Sequence, residues 1–83
     1  MENKNRIGLT PRQQQVLAFI IAFHKEHGVY PTVREISDGK IDGKQAMKKM
    51  AAYSNVHRIL GCLVRKGYIV KEINSPRGIA VLG

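Results

Sequence analysis

Hydrophobic residues in the first third of the chain recur at helical spacing. Val16, Leu17, Ile20, Ile21 and His24 keep the helical period, and Phe19 and Phe23 widen the stripe. Local chemistry predicts both ends of this helix. Thr10 is placed to cap it, Pro11 suits the first helical position, and Gln13 completes a Thr-x-x-Gln capping box. Gly28 is a C-terminal signal and Pro31 blocks continuation, so the helix stops near His27. A short second helix follows, opened by a second box from Thr32 and Glu35. Val33 and Ile36 form its apolar face, and Asp38-Gly39 breaks it.

The third helix is marked by the stripe Val56, Ile59, Leu60, Leu63 and Val64, with Ser54 as its cap. Arg65 and Lys66 suit the negative end of its dipole, and Gly67 closes it. The hydrophobic period then changes from helical to alternating. Residues 68–73 and 79–82 read as strands joined by the turn Asn74-Ser75-Pro76-Arg77-Gly78. Residues 39–52 leave two alternatives open. Gly39 and Gly43 favour a loop, whereas Gln45 to Ala52 has high helix propensity and can add a turn or run into the third helix.

Three helices followed by a hairpin make a mainly α fold with a small antiparallel β hairpin, in the order of a winged helix-turn-helix (three helices plus wing). The expected organisation is a flexible N-terminal arm over residues 1–8 and a single domain over 9–83, with 39–52 inserted between helices 2 and 3.

Charge changes this picture from a fold to a surface. Fourteen Lys and Arg against six Asp and Glu give a formal net charge of +8. Residues 1–39 hold five basic and four acidic residues, a net of +1, while residues 40–77 hold nine and two, a net of +7. A basic excess that falls in the insertion, the last helix and the hairpin fits a face that meets a polyanion. A solvated charge run on an ordinary basic protein is the bland alternative.

Other classes of chemistry find little support. No apolar run approaches the length of a membrane span. One cysteine, Cys62, allows no internal disulfide and suits a reducing, cytoplasmic setting. His24 and His27 share a helix face and, with Cys62, are the candidate ligands, but zinc needs three or four in a suitable geometry, and no Cys-x-x-Cys or acidic cluster supports such a site. Glu26 and Glu35 suit helix-end and capping roles better than acid–base work, and no glycine-rich phosphate loop occurs. No cofactor, metal, small-molecule substrate or catalytic residue is expected.

Specific residues also carry a resemblance. Leu9-Thr10-Pro11-Arg12-Gln13-Gln14-Gln15-Val16 resembles the opening motif of the N-terminal DNA-binding domain of LexA-type repressors, a family of bacteria and phages. The likeness continues through Gly28, Pro31-Thr32 and Glu35-Ile36, then returns at Leu63-Val64-Arg65-Lys66-Gly67-Tyr68-Ile69, Arg77-Gly78-Ile79 and Leu82. The first block is fairly specific; the Leu-x-x-Lys-Gly-x-Ile block is shared by many winged helices. Residues 37–55 depart from the pattern, with roughly eight extra residues where a helix-turn-helix has its short turn. With the chain ending at Gly83, the resemblance implies a free-standing domain without the family's C-terminal peptidase, so self-cleavage is not implied.

A helix-turn-helix lays its recognition helix in the major groove. If Val56, Leu60 and Leu63 face the core, then Ser54, Asn55, His57 and Arg58 become the candidate base-contacting residues. Asn pairs with adenine and Arg with guanine through two hydrogen bonds. A polar solvated face, with Asn55 capping the helix, is the structural alternative. Arg12, Lys44, Lys48, Lys49, Arg65 and Arg77 are candidates for phosphate or wing contacts; the lesser alternatives are a solubilising role for the three lysines and a turn role for Arg77. Gly61 is unfavourable inside a helix and suggests close approach of a partner backbone. The expected partner is double-stranded DNA, bound by a homodimer that joins through Tyr53 or through Met47 and Met50, core packing of the two methionines being an equal alternative. A protein–protein interaction module using Met47, Met50 and Tyr53 is the alternative. RNA binding is a third, disfavoured by the scarcity of aromatics for stacking.

Overall fold

Both capping boxes form. Thr10 accepts the Gln13 N–H at 3.2 Å while Gln13 Oε1 accepts the Thr10 N–H at 3.1 Å, opening helix α1 over Pro11–His27. Gly28, at φ 76°, closes it in the left-handed conformation. Thr32 and Glu35 repeat the reciprocal pair at 3.2 and 2.9 Å to open α2, Val33–Asp38. The computed structural model describes residues 8–72, 74–75 and 77–82, so most of the expected N-terminal arm lies outside the described residues.

Beyond α2 the chain makes a hairpin of two short antiparallel strands, β1 Lys40–Ile41 and β2 Lys44–Gln45, with Lys40 opposite Gln45 and Ile41 opposite Lys44. Asp42 and Gly43 both take positive φ (53° and 77°), as a two-residue type I′ loop requires. The segment after the hairpin is bonded sideways instead of to itself. Gly39 O accepts the N–H groups of Ala46 and Met47, and Ser37 and Met50 exchange two bonds, Met50 N–H to Ser37 O at 2.8 Å and Ser37 Oγ–H to Met50 O at 2.7 Å. These bonds correct the helical alternative for Gln45 to Ala52, whose backbone groups are drawn to residues 37–39. They also correct the expectation that Met47 and Met50 offer a contact surface. Folding the insertion back places both in the core, only 7% and 6% exposed.

Helix α3 runs Tyr53–Arg65. It begins one residue before the predicted cap: extended Ala52 occupies the cap position with no side-chain hydrogen bond, so Ser54 lies in the first turn and not at its head. The wing follows as β3 Ile69–Lys71 and β4 Ile79–Val81, antiparallel, with Val70 opposite Ala80. Both strands are shorter than the alternation suggested, and Ile73 and Pro76 of the predicted hairpin lie outside the described residues.

The core lies where α1, α2, α3 and the base of the wing converge. Val16, Ile20, Ile36, Val56, Leu60, Leu63 and Ile69 have no accessible surface, and Leu17, Phe19, Phe23 and Ile79 pack around them. Fully burying such an aliphatic side chain contributes about 1.5–3 kcal/mol. Ile21 and Val64, included in the predicted stripes, are instead exposed, because each stripe is wider than the neighbouring element that covers it. The architecture is a winged helix, with the insertion hairpin placed between its second and third helices.

Candidate nucleic-acid interface

Burial of Val56, Leu60 and Leu63 fixes the rotation of α3. Tyr53, Ser54, Asn55, His57 and Arg58 are left exposed on the opposite side, all within its first two turns. That is the part of a recognition helix from which base edges are usually reached.

Four of the candidate residues come together in one cleft. Arg12 from α1, Lys49 from the insertion, and Asn55 and Arg58 from α3 line a recess of about 330 Å3, completed by Met50, Ala51 and Ile59. Among the described residues no carboxylate lines it. Arg58 Nη2 donates to Asn55 Oδ1 at 3.0 Å, which orders the two side chains most suited to reading bases. Arg12 Nη1 is buried and, among the described residues, has no hydrogen-bond partner. A buried guanidinium nitrogen without an acceptor is costly, so a site of this kind favours an incoming anionic oxygen. Lys49 enters the group only because the Ser37–Met50 bonds hold the insertion against the start of α3.

The remaining candidates go elsewhere. His57 turns to the wing, where the Lys71 ammonium lies 3.3 Å from its Nδ1. Lys44 is exposed on β2, and Lys48 borders a separate cleft of about 430 Å3 against Gln15, Ala18 and Ala22 of α1. Arg65 donates to Cys62 Sγ at 3.3 Å at the far end of α3. Lys66 bonds to the Gly8 carbonyl and to Gln13 Oε1, tying the end of α3 to the start of α1. At Gly61 an added Cβ meets only Arg65 Nη1, at 3.7 Å, so among the described residues no backbone of this chain approaches it closely.

Arg77 is turned inward. Its guanidinium clasps the Glu35 carboxylate at 2.8 and 3.0 Å and donates to Tyr30 O at 2.8 Å, fastening the wing to the loop and helix before the insertion. The hydrogen bonds from Arg77 hold the Glu35 carboxyl below its ordinary range, against an opposing effect of burial and with help from the Thr32 N–H. Reciprocally, Glu35 raises the pKa of Arg77. Arg77 in this arrangement is a turn-fixing residue, one of the two roles its position allowed. Lys71 and Arg34, absent from the sequence-based candidates, face the wing side of α3. Strand alternation at 69–71 was the available signal for Lys71.

The residues considered for a metal also find structural places. His24 stacks on Tyr30 with ring centroids 4.0 Å apart, and His27 packs on Phe23 at 4.6 Å and reaches Asp42 at 3.4 Å. Among the described residues no group of three or more His, Cys, Asp and Glu is arranged to hold a metal ion, and no helix is long and apolar enough to cross a membrane.

Comparison with known proteins agrees with the geometry. The model of the LexA DNA binding domain matches residues 6–78, passing through the insertion hairpin. LexA repressor 1 of Geobacter sulfurreducens is 48% identical over 75 residues, covering 90% of this chain and 33% of the relative. The LexA repressors of Geotalea uraniireducens and Bacillus mycoides are each 43% identical, over 76 and 75 residues, with the same coverage. The chain thus spans about a third of the length of these relatives, the matched part being the DNA-binding portion. On the strength of this match, and of the winged helix that carries it, the chain belongs to the LexA DNA-binding domain family.

Proposed function

We propose that this domain binds double-stranded DNA in a sequence-selective way and acts as a transcriptional repressor. Helix α3 enters the major groove, and the β3–β4 hairpin lies over the backbone or the adjacent minor groove. The observation that carries this is the cleft at the head of α3, where Arg12, Lys49 and Arg58 meet Asn55 with no carboxylate among them. Arg58 and Asn55 carry base-reading chemistry, and Arg12 and Lys49 are placed to neutralise phosphate. Ser54 lies beside them in the first helical turn.

The longest dimension of the domain is 31 Å, comparable to one turn of duplex. One copy therefore covers about one half-site, and useful specificity calls for two copies on a two-fold site. Burial of Met47 and Met50 takes away two of the three residues that favoured a protein-docking module instead, leaving Tyr53 exposed.

Selection from a random duplex library, followed by footprinting, tests the proposal. One enriched motif, present as an inverted repeat, is the expected result. Survival of all sequences alike through successive rounds would contradict selective binding.

A further inference from the structure

A second cleft lies on the opposite flank of α3, between that helix, the start of α2 and the wing. It measures about 290 Å3, and Arg34, His57, Lys71, Glu72, Thr32 and Ser75 are among its walls. Its charged and titratable groups come from every element that borders it: Arg34 from α2, His57 from α3, and Lys71 and Glu72 from the wing. Nearby Glu35 is already clasped by Arg77. The cleft therefore carries one net positive charge when His57 is neutral and two when it is protonated.

The contact between Lys71 and His57 makes those two states chemically distinct. An ammonium 3.3 Å from Nδ1 donates to it only if that nitrogen presents a lone pair, which requires a neutral ring. A ring protonated on both nitrogens would set two cations against each other at this distance. An anionic oxygen between them removes the conflict, because it accepts from both the ammonium and the imidazolium.

From this geometry we infer that Arg34, His57 and Lys71 form a seat for a DNA backbone phosphate, and that filling it draws one proton onto His57. The inference rests on the duplex-binding reading above and deepens it. It adds a contact on the wing side of α3 and makes affinity depend on pH. The sign follows from linkage. Phosphate favours the charged ring, so binding takes up a proton and affinity falls as pH rises.

Binding of a labelled duplex of mixed sequence, measured by fluorescence anisotropy at constant ionic strength, is the test. The protein and its His57→Gln and Lys71→Ala variants are compared between about pH 6 and pH 8. Both side chains are exposed, and thermal unfolding of each variant verifies the fold. Affinity of the parent is expected to fall across that range, at its steepest by about tenfold per pH unit, the most that one linked proton gives. His57→Gln flattens the profile, whereas His24→Gln with His27→Gln leaves it unchanged. Lys71→Ala lowers the slope of log affinity against log salt by about 0.9, the loss of one phosphate contact. A pH profile that survives His57→Gln, a flat profile in the parent, or an unaltered salt slope in Lys71→Ala overturns the seat while leaving duplex binding intact. Absence of binding at every pH, even at low salt, overturns the duplex-binding reading itself.

Discussion

At Gly39 the chain must turn left-handed, with φ at +69°, directly beneath its own later backbone. An added Cβ would overlap the Met47 carbonyl oxygen, and the Gly39 carbonyl already accepts two N–H groups from the returning strand. Gly39→Ala is therefore expected to destabilise the domain by more than about 2 kcal/mol, since both backbone strain and a backbone clash must be relieved. Gly43→Ala is the matched control: φ is also positive, but the added methyl meets open space, and the cost should be about 1 kcal/mol. Chemical denaturation of the two variants measures the difference. Equal losses would show that Met47 does not press on Gly39. Single residues of this kind were legible in kind but not in role. The glycine marked a break in the sequence, while its contact partner eight positions later was set by the hairpin between them.

Elements whose ends are fixed by neighbours were readable from local chemistry. The Thr10/Gln13 and Thr32/Glu35 boxes, Gly28 and Pro31 needed only groups a few residues apart, and the helices they bound followed. The insertion was less legible, because helix propensity over 45–52 lost to hydrogen bonds with residues 37–39. Asp42-Gly43, a strong signal for a two-residue hairpin loop, was the overlooked clue. Arg77 shows the same limit: nothing near it in sequence announces Glu35, and only the folded wing brings them together.

That clasp has a consequence for stability. Since the Glu35 carboxyl is held below its ordinary range, its contribution is present above the usual glutamate range and is lost as pH falls through the depressed value. Thermal unfolding midpoints should drop on acidification more in the parent than in Glu35→Gln, which has no carboxyl to protonate. Equal drops would deny the clasp a role. In α3, Gly61 sits at a helical position with room for a methyl, so Gly61→Ala should stabilise the domain by about 0.5–1 kcal/mol in the absence of DNA. A loss of stability in the same melt would mean that the position is crowded.

At the scale of the whole molecule, polar and basic side chains from both halves of the chain gather on either side of α3. Arg12, Lys49, Asn55 and Arg58 lie on one flank and Arg34, His57 and Lys71 on the other. Lys66 and Arg77 instead hold elements together. Net charge by halves thus pointed to Lys49, Arg58 and Lys71 but not to Arg12 or Arg34, and it did not separate cations that bind from cations that build. The account stands on the first flank reading sequence. Its most direct test compares the protein with Arg58→Ala on a selected duplex and on unrelated duplexes, each across a range of salt. Affinity should fall steeply with salt on every duplex, and Arg58→Ala should weaken the selected one by about 1–3 kcal/mol while leaving the others nearly unchanged. An equal loss on all sequences, or no loss on the selected one, would contradict a role for α3 in reading bases.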